Sequence, residues 1–117
     1  MSERWEILKL PGFDIYEVSS RGRVRTRNRI YEYDDGDVRR LKSYIRKLFM
    51  CSRGFVSVTL FDVDGRRRTF RVHRLVALHF LPQHGKRHVL HVDGNRRNNS
   101  VENLLWVDFI SKTTYIP

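Results

Sequence analysis

Apolar and polar positions alternate most clearly between residues 55 and 72. Phe55-Val56-Ser57-Val58-Thr59-Leu60-Phe61 is rich in β-branched and aromatic side chains, and Arg67-Arg68-Thr69-Phe70-Arg71-Val72 returns after Asp62-Val63-Asp64-Gly65. Two such runs around an Asp-Gly pair predict a β-hairpin, because glycine supplies the positive φ that a tight turn needs. The period then becomes helical. From His73 to Phe80, Leu75, Val76 and Leu78 are expected to pack inward, and Leu81-Pro82 ends the helix because proline has no amide hydrogen. Val89-Leu90-His91 predicts a short strand, with residues 104–107 as its antiparallel partner. Near the start, Trp5, Ile7, Phe13, Tyr16 and Val18 form the apolar side of a small β module, and Pro11-Gly12 a turn. Residues 38–50 are ambiguous, helix-tolerant around Arg39-Arg40-Leu41-Lys42 and more apolar at Leu48-Phe49-Met50.

One stretch is patterned by charge instead. Arg21, Arg23, Arg25, Arg27 and Arg29 occupy every second position. In an extended strand alternate side chains share a face, so neighbouring arginines would lie roughly 6–7 Å apart. That spacing approaches the phosphate step along a nucleic-acid strand; the bland alternative is a solvated strand face. Arg66, Arg67 and Arg68 cluster at the predicted hairpin tip, where they could touch phosphate as well. Residues 31–37 form an acidic island and a turn, and no calcium-loop spacing follows Asp34, Asp35 and Asp37.

Composition narrows the class. The 117 residues are 40% hydrophobic and 12% aromatic, enough for a packed interior. A net charge of +10, from 23 Lys and Arg against 13 Asp and Glu, implies a polyanionic partner, foremost nucleic acid. A membrane is the weaker partner, since there is no long basic amphipathic helix, no spanning apolar run and no signal-peptide core. Cys51 alone excludes an intrachain disulfide framework, and the expectation is a soluble intracellular protein.

The chemistry gathers in two linked segments. Val72-His73-Arg74-Leu75-Val76-Ala77-Leu78-His79-Phe80-Leu81-Pro82 precedes His91-Val92-Asp93-Gly94-Asn95-Arg96-Arg97-Asn98-Asn99-Ser100-Val101-Glu102-Asn103-Leu104-Leu105-Trp106. A histidine that can take a proton near neutral pH is followed by a loop of turn-forming Asn, Asp and Gly, then Glu-Asn-Leu. This pattern resembles the HNH endonuclease family, in its phage and intron homing-endonuclease branch. Trp5-Glu6-Ile7 with Tyr16-Glu17-Val18-Ser19-Ser20-Arg21-Gly22-Arg23-Val24-Arg25 resembles the nuclease-associated modular domain that often precedes such a core.

The resemblance implies an α+β chain. A small antiparallel β N-terminal module and hairpin would precede a ββα-metal core with a truncated final helix. Residues 1–50 would form the DNA-binding region and 51–117 the HNH-like core. It makes His91 the general base of a metal-assisted phosphodiester hydrolysis that nicks or cleaves duplex DNA, with Mg²⁺ or Mn²⁺ as cofactor. Asn103 would orient the histidine or brace the loop, and Asp93, Gly94, Asn95, Asn98 and Asn99 would be structural. Arg21, Arg23, Arg25, Arg27, Arg29, Arg66, Arg67, Arg68, Arg96 and Arg97 are the candidate DNA contacts. The host would be a phage-infected bacterium and the compartment its cytoplasm.

Two positions depart from the family. Leu90 stands where an Asp or Asn usually helps to bind the metal, and Lys112 near the second ligand position, with the chain ending at Pro117. Leucine cannot ligate a hard cation and an ammonium repels one. Asp93 and Asp108 are substitute ligands away from the family position, with Glu102 more distant. Three readings therefore stand: an active nuclease, an inactive HNH-fold protein that binds DNA, and a module that binds a host or phage protein. Among the remaining histidines, His73 is expected to be buried and hydrogen-bonded, His79 packed, and His84 and His88 solvated or near phosphate. Trp5 and Trp106 are expected in the core.

Overall fold

The computed structural model describes residues 2–108. Ten short strands and one α-helix run in the order β1 (Trp5–Ile7), β2 (Tyr16–Ser19), β3 (Val24–Thr26), β4 (Arg29–Glu32), β5 (Val38–Leu41), β6 (Phe49–Met50), β7 (Val56–Phe61), β8 (Arg67–Arg71), α1 (Val72–Phe80), β9 (His88–His91) and β10 (Leu104–Val107), with 3-10 turns at Ser52–Gly54 and Val101–Asn103. The strands pair antiparallel into four small sheets, β1-β2-β3, β4-β5, β6-β7-β8 and β9-β10. The fold is α+β.

The β7–β8 hairpin forms as the alternation predicts, with Ser57 opposite Arg71 and Phe61 opposite Arg67. Gly65 closes its turn at φ +78, and Asp62 accepts from the amides of Asp64 and Arg66. Helix α1 packs against β2, β7, β8, β9 and β10. Its inward face is Val72, His73, Leu75, Val76 and Ala77; Leu78 is 43% exposed, contrary to expectation. At about 100° per residue Leu78 lies opposite the centre of that buried arc. The indole N–H of Trp106 donates to the Ala77 carbonyl at 3.2 Å and ties β10 to the helix.

One core joins the two ends of the chain. Leu8, Phe13, Tyr16, Val18 and Val24 pack with Val58, Leu60, Val72, Leu75, Val76, Val101 and Leu104. The Tyr16 hydroxyl accepts from the Phe61 amide at 3.1 Å, so the phenol's polar end is satisfied where its ring is buried. Ile7 is 39% exposed and Leu8 takes its expected place inside, because β1 ends at Ile7 and the chain turns under the sheet. Trp5 is half-buried at the surface, not in the core.

Residues 38–50 contain no helix. β5 pairs with β4 as a hairpin across the acidic turn, where the Tyr33 amide bonds the Asp37 carbonyl at 2.8 Å. This hairpin leaves Ile30, Tyr31, Tyr33 and Val38 exposed, so strand pairing and not burial sets its conformation. The final helix expected after β10, and Lys112 with it, lie outside the described residues. Among the described residues no helix is long and apolar enough to cross a membrane.

Candidate active site

His91 ends β9, and the loop from Val92 to Ser100 brings the chain back to β10. The loop is held by its own polar side chains, as its composition of turn formers requires. One Asp93 carboxylate oxygen accepts from the Asn95 amide at 2.8 Å and the Asn103 Nδ2 at 2.9 Å; the other accepts from the Asn98 Nδ2 at 3.0 Å. The Asn98 bond, then those of Asn95 and Asn103, hold the Asp93 carboxyl below its ordinary range. Asn103 also accepts from the Asp93 amide at 3.1 Å and donates to the Asn98 carbonyl at 2.9 Å. These are loop-bracing contacts.

The side chain on His91 is Asn99. His91 is 6% exposed and Asn99 5%, and the Asn99 Oδ1 lies 2.7 Å from His91 Nε2. A carbonyl oxygen only accepts, so Nε2 carries the hydrogen and Nδ1 of the neutral ring carries the lone pair. Behind this pair sits His73 from α1, with its ring centroid 4.9 Å from that of His91 and stacked on Phe55 at 5.0 Å and 18°. Burial pushes the His73 imidazole down to about 4, and electrostatic repulsion from His91, Arg74, Arg71 and Arg96 adds to this. His73 therefore stays neutral beside His91 at physiological pH.

An open cleft of about 250 Å³ is lined by Phe55, Val89, Leu90, His91, Gly94 and Arg96. The guanidiniums of Arg71 and Arg96 lie over the Phe55 ring at 4.3 and 4.4 Å, and Arg96 also donates to the Arg53 carbonyl. The cleft thus joins a buried imidazole to the Arg96 guanidinium, with Arg71 against the Phe55 ring, an arrangement suited to a phosphate group. Arg97 lies away from it, beside Leu48, Phe49, Met50 and Val56.

Family models match two stretches of this chain: a NUMOD4 motif over residues 3–61 and an HNH endonuclease domain over residues 70–108. The chain belongs to the HNH endonuclease family. It is 32% identical over 110 residues to an uncharacterized HNH endonuclease of Acanthamoeba polyphaga mimivirus, covering 93% of this chain and 28% of that protein. It is 39% identical over 93 residues to the DNA endonuclease I-HmuI of Bacillus phage SP01, covering 79% of this chain and 45% of that one. A solved structure titled for DNA binding and cleavage by the HNH homing endonuclease I-HmuI superposes with a TM-score of 0.66 at 33% identity. That match covers 90% of this chain and 52% of the other. The chain spans about half the length, or less, of the relatives it matches.

HNH endonucleases use divalent metal ions, and the described residues do not fit one. No group of three or more His, Cys, Asp or Glu able to hold a metal occurs among them. Leu90 lines the cleft where a ligand is expected, and both Asp93 oxygens are occupied by loop donors. Asp108 is exposed and Glu102 likewise.

The arginine stripe is divided. Only Arg25 of the five lies within β3; Arg21 and Arg23 belong to the preceding turn, and Arg29 opens β4 in another sheet. Arg23 pairs with Glu3 at 2.5 Å and Arg25 with Glu17 at 2.9 Å, and both guanidiniums lie over the Trp5 ring. Arg27 donates to the Asp14 carbonyl at 2.9 Å and Arg29 to that of Arg27 at 3.4 Å. An even comb of phosphate contacts over residues 21–29 is therefore not what the backbone builds. Arg66, Arg67 and Arg68 are exposed at the hairpin tip as expected. Sequence reasoning missed Phe55 and Arg71 as site residues and took His73 and Asn99 as structural only. The eight-residue separation of His91 and Asn99 carries no signal of contact until the loop is folded.

Proposed function

We propose that this chain binds duplex DNA and that His91 is the general base of an HNH-type phosphodiester hydrolysis. The observation that carries the reading is the His91–Asn99 bond. It leaves Nδ1 of a neutral imidazole as the lone-pair nitrogen, in a cleft that Arg96 also lines, with Arg71 against the Phe55 ring. In this reading Nδ1 takes the proton of the attacking water, a step that supplies about 10²–10⁴ in rate. The two guanidiniums hold the phosphate, and the net charge of +10 draws the duplex in through salt-sensitive contacts. Asn103 serves the reaction by holding the loop.

A second reading is favoured by Leu90, which stands where a metal ligand is expected: a protein that binds DNA on a nuclease scaffold and does not cut. Nicking of supercoiled plasmid by the purified chain separates the two, run with Mg²⁺ or Mn²⁺, with EDTA, and with His91→Ala. Metal-dependent nicking lost in His91→Ala supports the nuclease. Absence of nicking with gel-shift binding intact supports the binding protein and overturns the first reading.

A further inference from the structure

We infer that the Ser19–Arg23 turn of the N-terminal module is part of the active-site frame: Gly22 seats Asn99, and Asn99 fixes the tautomer of His91. Gly22 and Asn99 are both buried, and they meet without room for a side chain. A Cβ on Gly22 would lie 2.9 Å from the Asn99 Cβ and 3.2 Å from its carbonyl oxygen. Gly22 also has φ +85, where an L side chain is strained.

The turn itself is well fixed. The Gly22 amide donates to the Ser19 carbonyl at 3.1 Å, and the fully buried Ser19 Oγ accepts from the Arg21 and Arg23 amides at 3.1 and 3.0 Å. One residue on, the Ser20 carbonyl accepts from the Val101 amide at 2.8 Å, two residues beyond Asn99. The catalytic-loop segment 99–101 is thus held by the turn through both a steric contact and a backbone bond. The Asn99 side-chain Oδ1 then reaches His91 Nε2 at 2.7 Å. Asn99 and Gly22 are positioning residues, since neither lines the cleft.

The consequence for cleavage rests on His91 being the general base; the tautomer lock does not, and it is measured without turnover. Long-range ¹H–¹⁵N spectra of the imidazoles, taken on the whole chain above pH 8, report where the ring hydrogen sits. The parent should show His91 with one protonated nitrogen, Nε2, and widely separated ring ¹⁵N shifts. Asn99→Ala should draw the two shifts together as both tautomers populate, and Asn99→Asp, which keeps an acceptor, should restore the separation. Gly22→Ala should reproduce the loss seen in Asn99→Ala. Gly36→Ala is the control: Gly36 has the same φ of +85 but nothing within 4 Å of an added Cβ, so His91 should not change.

Should Gly22→Ala fail to fold, Ser19→Ala loosens the same turn more gently and should narrow the separation in part. Shifts that stay at parental values in folded Asn99→Ala, or in folded Gly22→Ala and Ser19→Ala, overturn the inference. A parent without nicking activity but with a locked Nε2–H tautomer leaves it standing while the nuclease reading falls.

Discussion

His73 should make the protein lose stability on mild acidification. Its ring is 5% exposed, stacked on Phe55 and 4.9 Å from the His91 ring. Burial is the main cause that lowers it from 6.5 to about 4, with His91, Arg74, Arg71 and Arg96 adding repulsion. The unfolded chain therefore binds a proton between these values that the folded chain refuses, so stability rises with pH across the window and falls as pH drops through it. At about 1.4 kcal/mol per pH unit the whole gap corresponds to about 3 kcal/mol. Between pH 7 and 4.5 about 2 kcal/mol of it should be lost. Staying above pH 4.5 avoids Glu3, whose carboxyl the Arg23 hydrogen bond holds at about 2, so that its stabilising contribution fades only below 4.5. The assay is urea unfolding of the parent and His73→Phe at both pH values. Phenylalanine keeps a flat ring against Phe55 and cannot titrate. The parent should lose about 2 kcal/mol more than the variant. Equal losses, to within about 0.5 kcal/mol, would refute burial as the cause.

Three further variants test the loop and the basic surface. Asn103→Ala removes three hydrogen bonds, one of them to the Asp93 carboxylate, and should cost about 2 kcal/mol in urea unfolding; full stability with cleavage lost would instead mark Asn103 as catalytic. In DNA titrations against salt, Arg67→Ala with Arg68→Ala should flatten the log–log slope by about 2, from about 0.9 per phosphate contact. Arg23→Ala with Arg25→Ala should flatten it by less than about 1, since both guanidiniums are already paired with glutamates; the reverse order would restore the stripe as the main contact.

The elements that could be read from the sequence are those whose local pattern and tertiary role agree. The β7–β8 hairpin has alternation, β-branching and a glycine turn all pointing one way, and the α1 boundaries follow from its period and Pro82. The β9–β10 pair was legible through the His91 and Asn103 motif. Residues 38–50 were not, because β5 gains its place from partner β4 and from no apolar face of its own. The arginine stripe misled for a related reason. Alternation describes a single strand, and this chain turns at Gly22 and breaks again at residues 27–28. The acids that neutralise Arg23 and Arg25, Glu3 and Glu17, come from outside the stripe and are invisible to a count along it.

The same limit explains the site. A motif names residues in order, but the orientation of His91 depends on residues that meet it only in three dimensions. Asn99 touches its Nε2, His73 arrives from α1 and Phe55 from the residue just before β7. The turn that seats Asn99 belongs to the N-terminal segment. A boundary near residue 50 divides neither the motifs nor the packing, because the N-terminal motif runs to residue 61 and Val18 and Val24 share a core with Leu60, Val76 and Leu104. Grafting the HNH segment alone onto another DNA-binding module would remove the Ser20–Val101 bond and the Gly22 contact together. The loop from Val92 to Ser100 would then keep its internal Asp93–Asn98–Asn103 ties but lose what aligns Asn99 with the histidine. On this geometry the N-terminal module and the HNH core form one device for placing an imidazole.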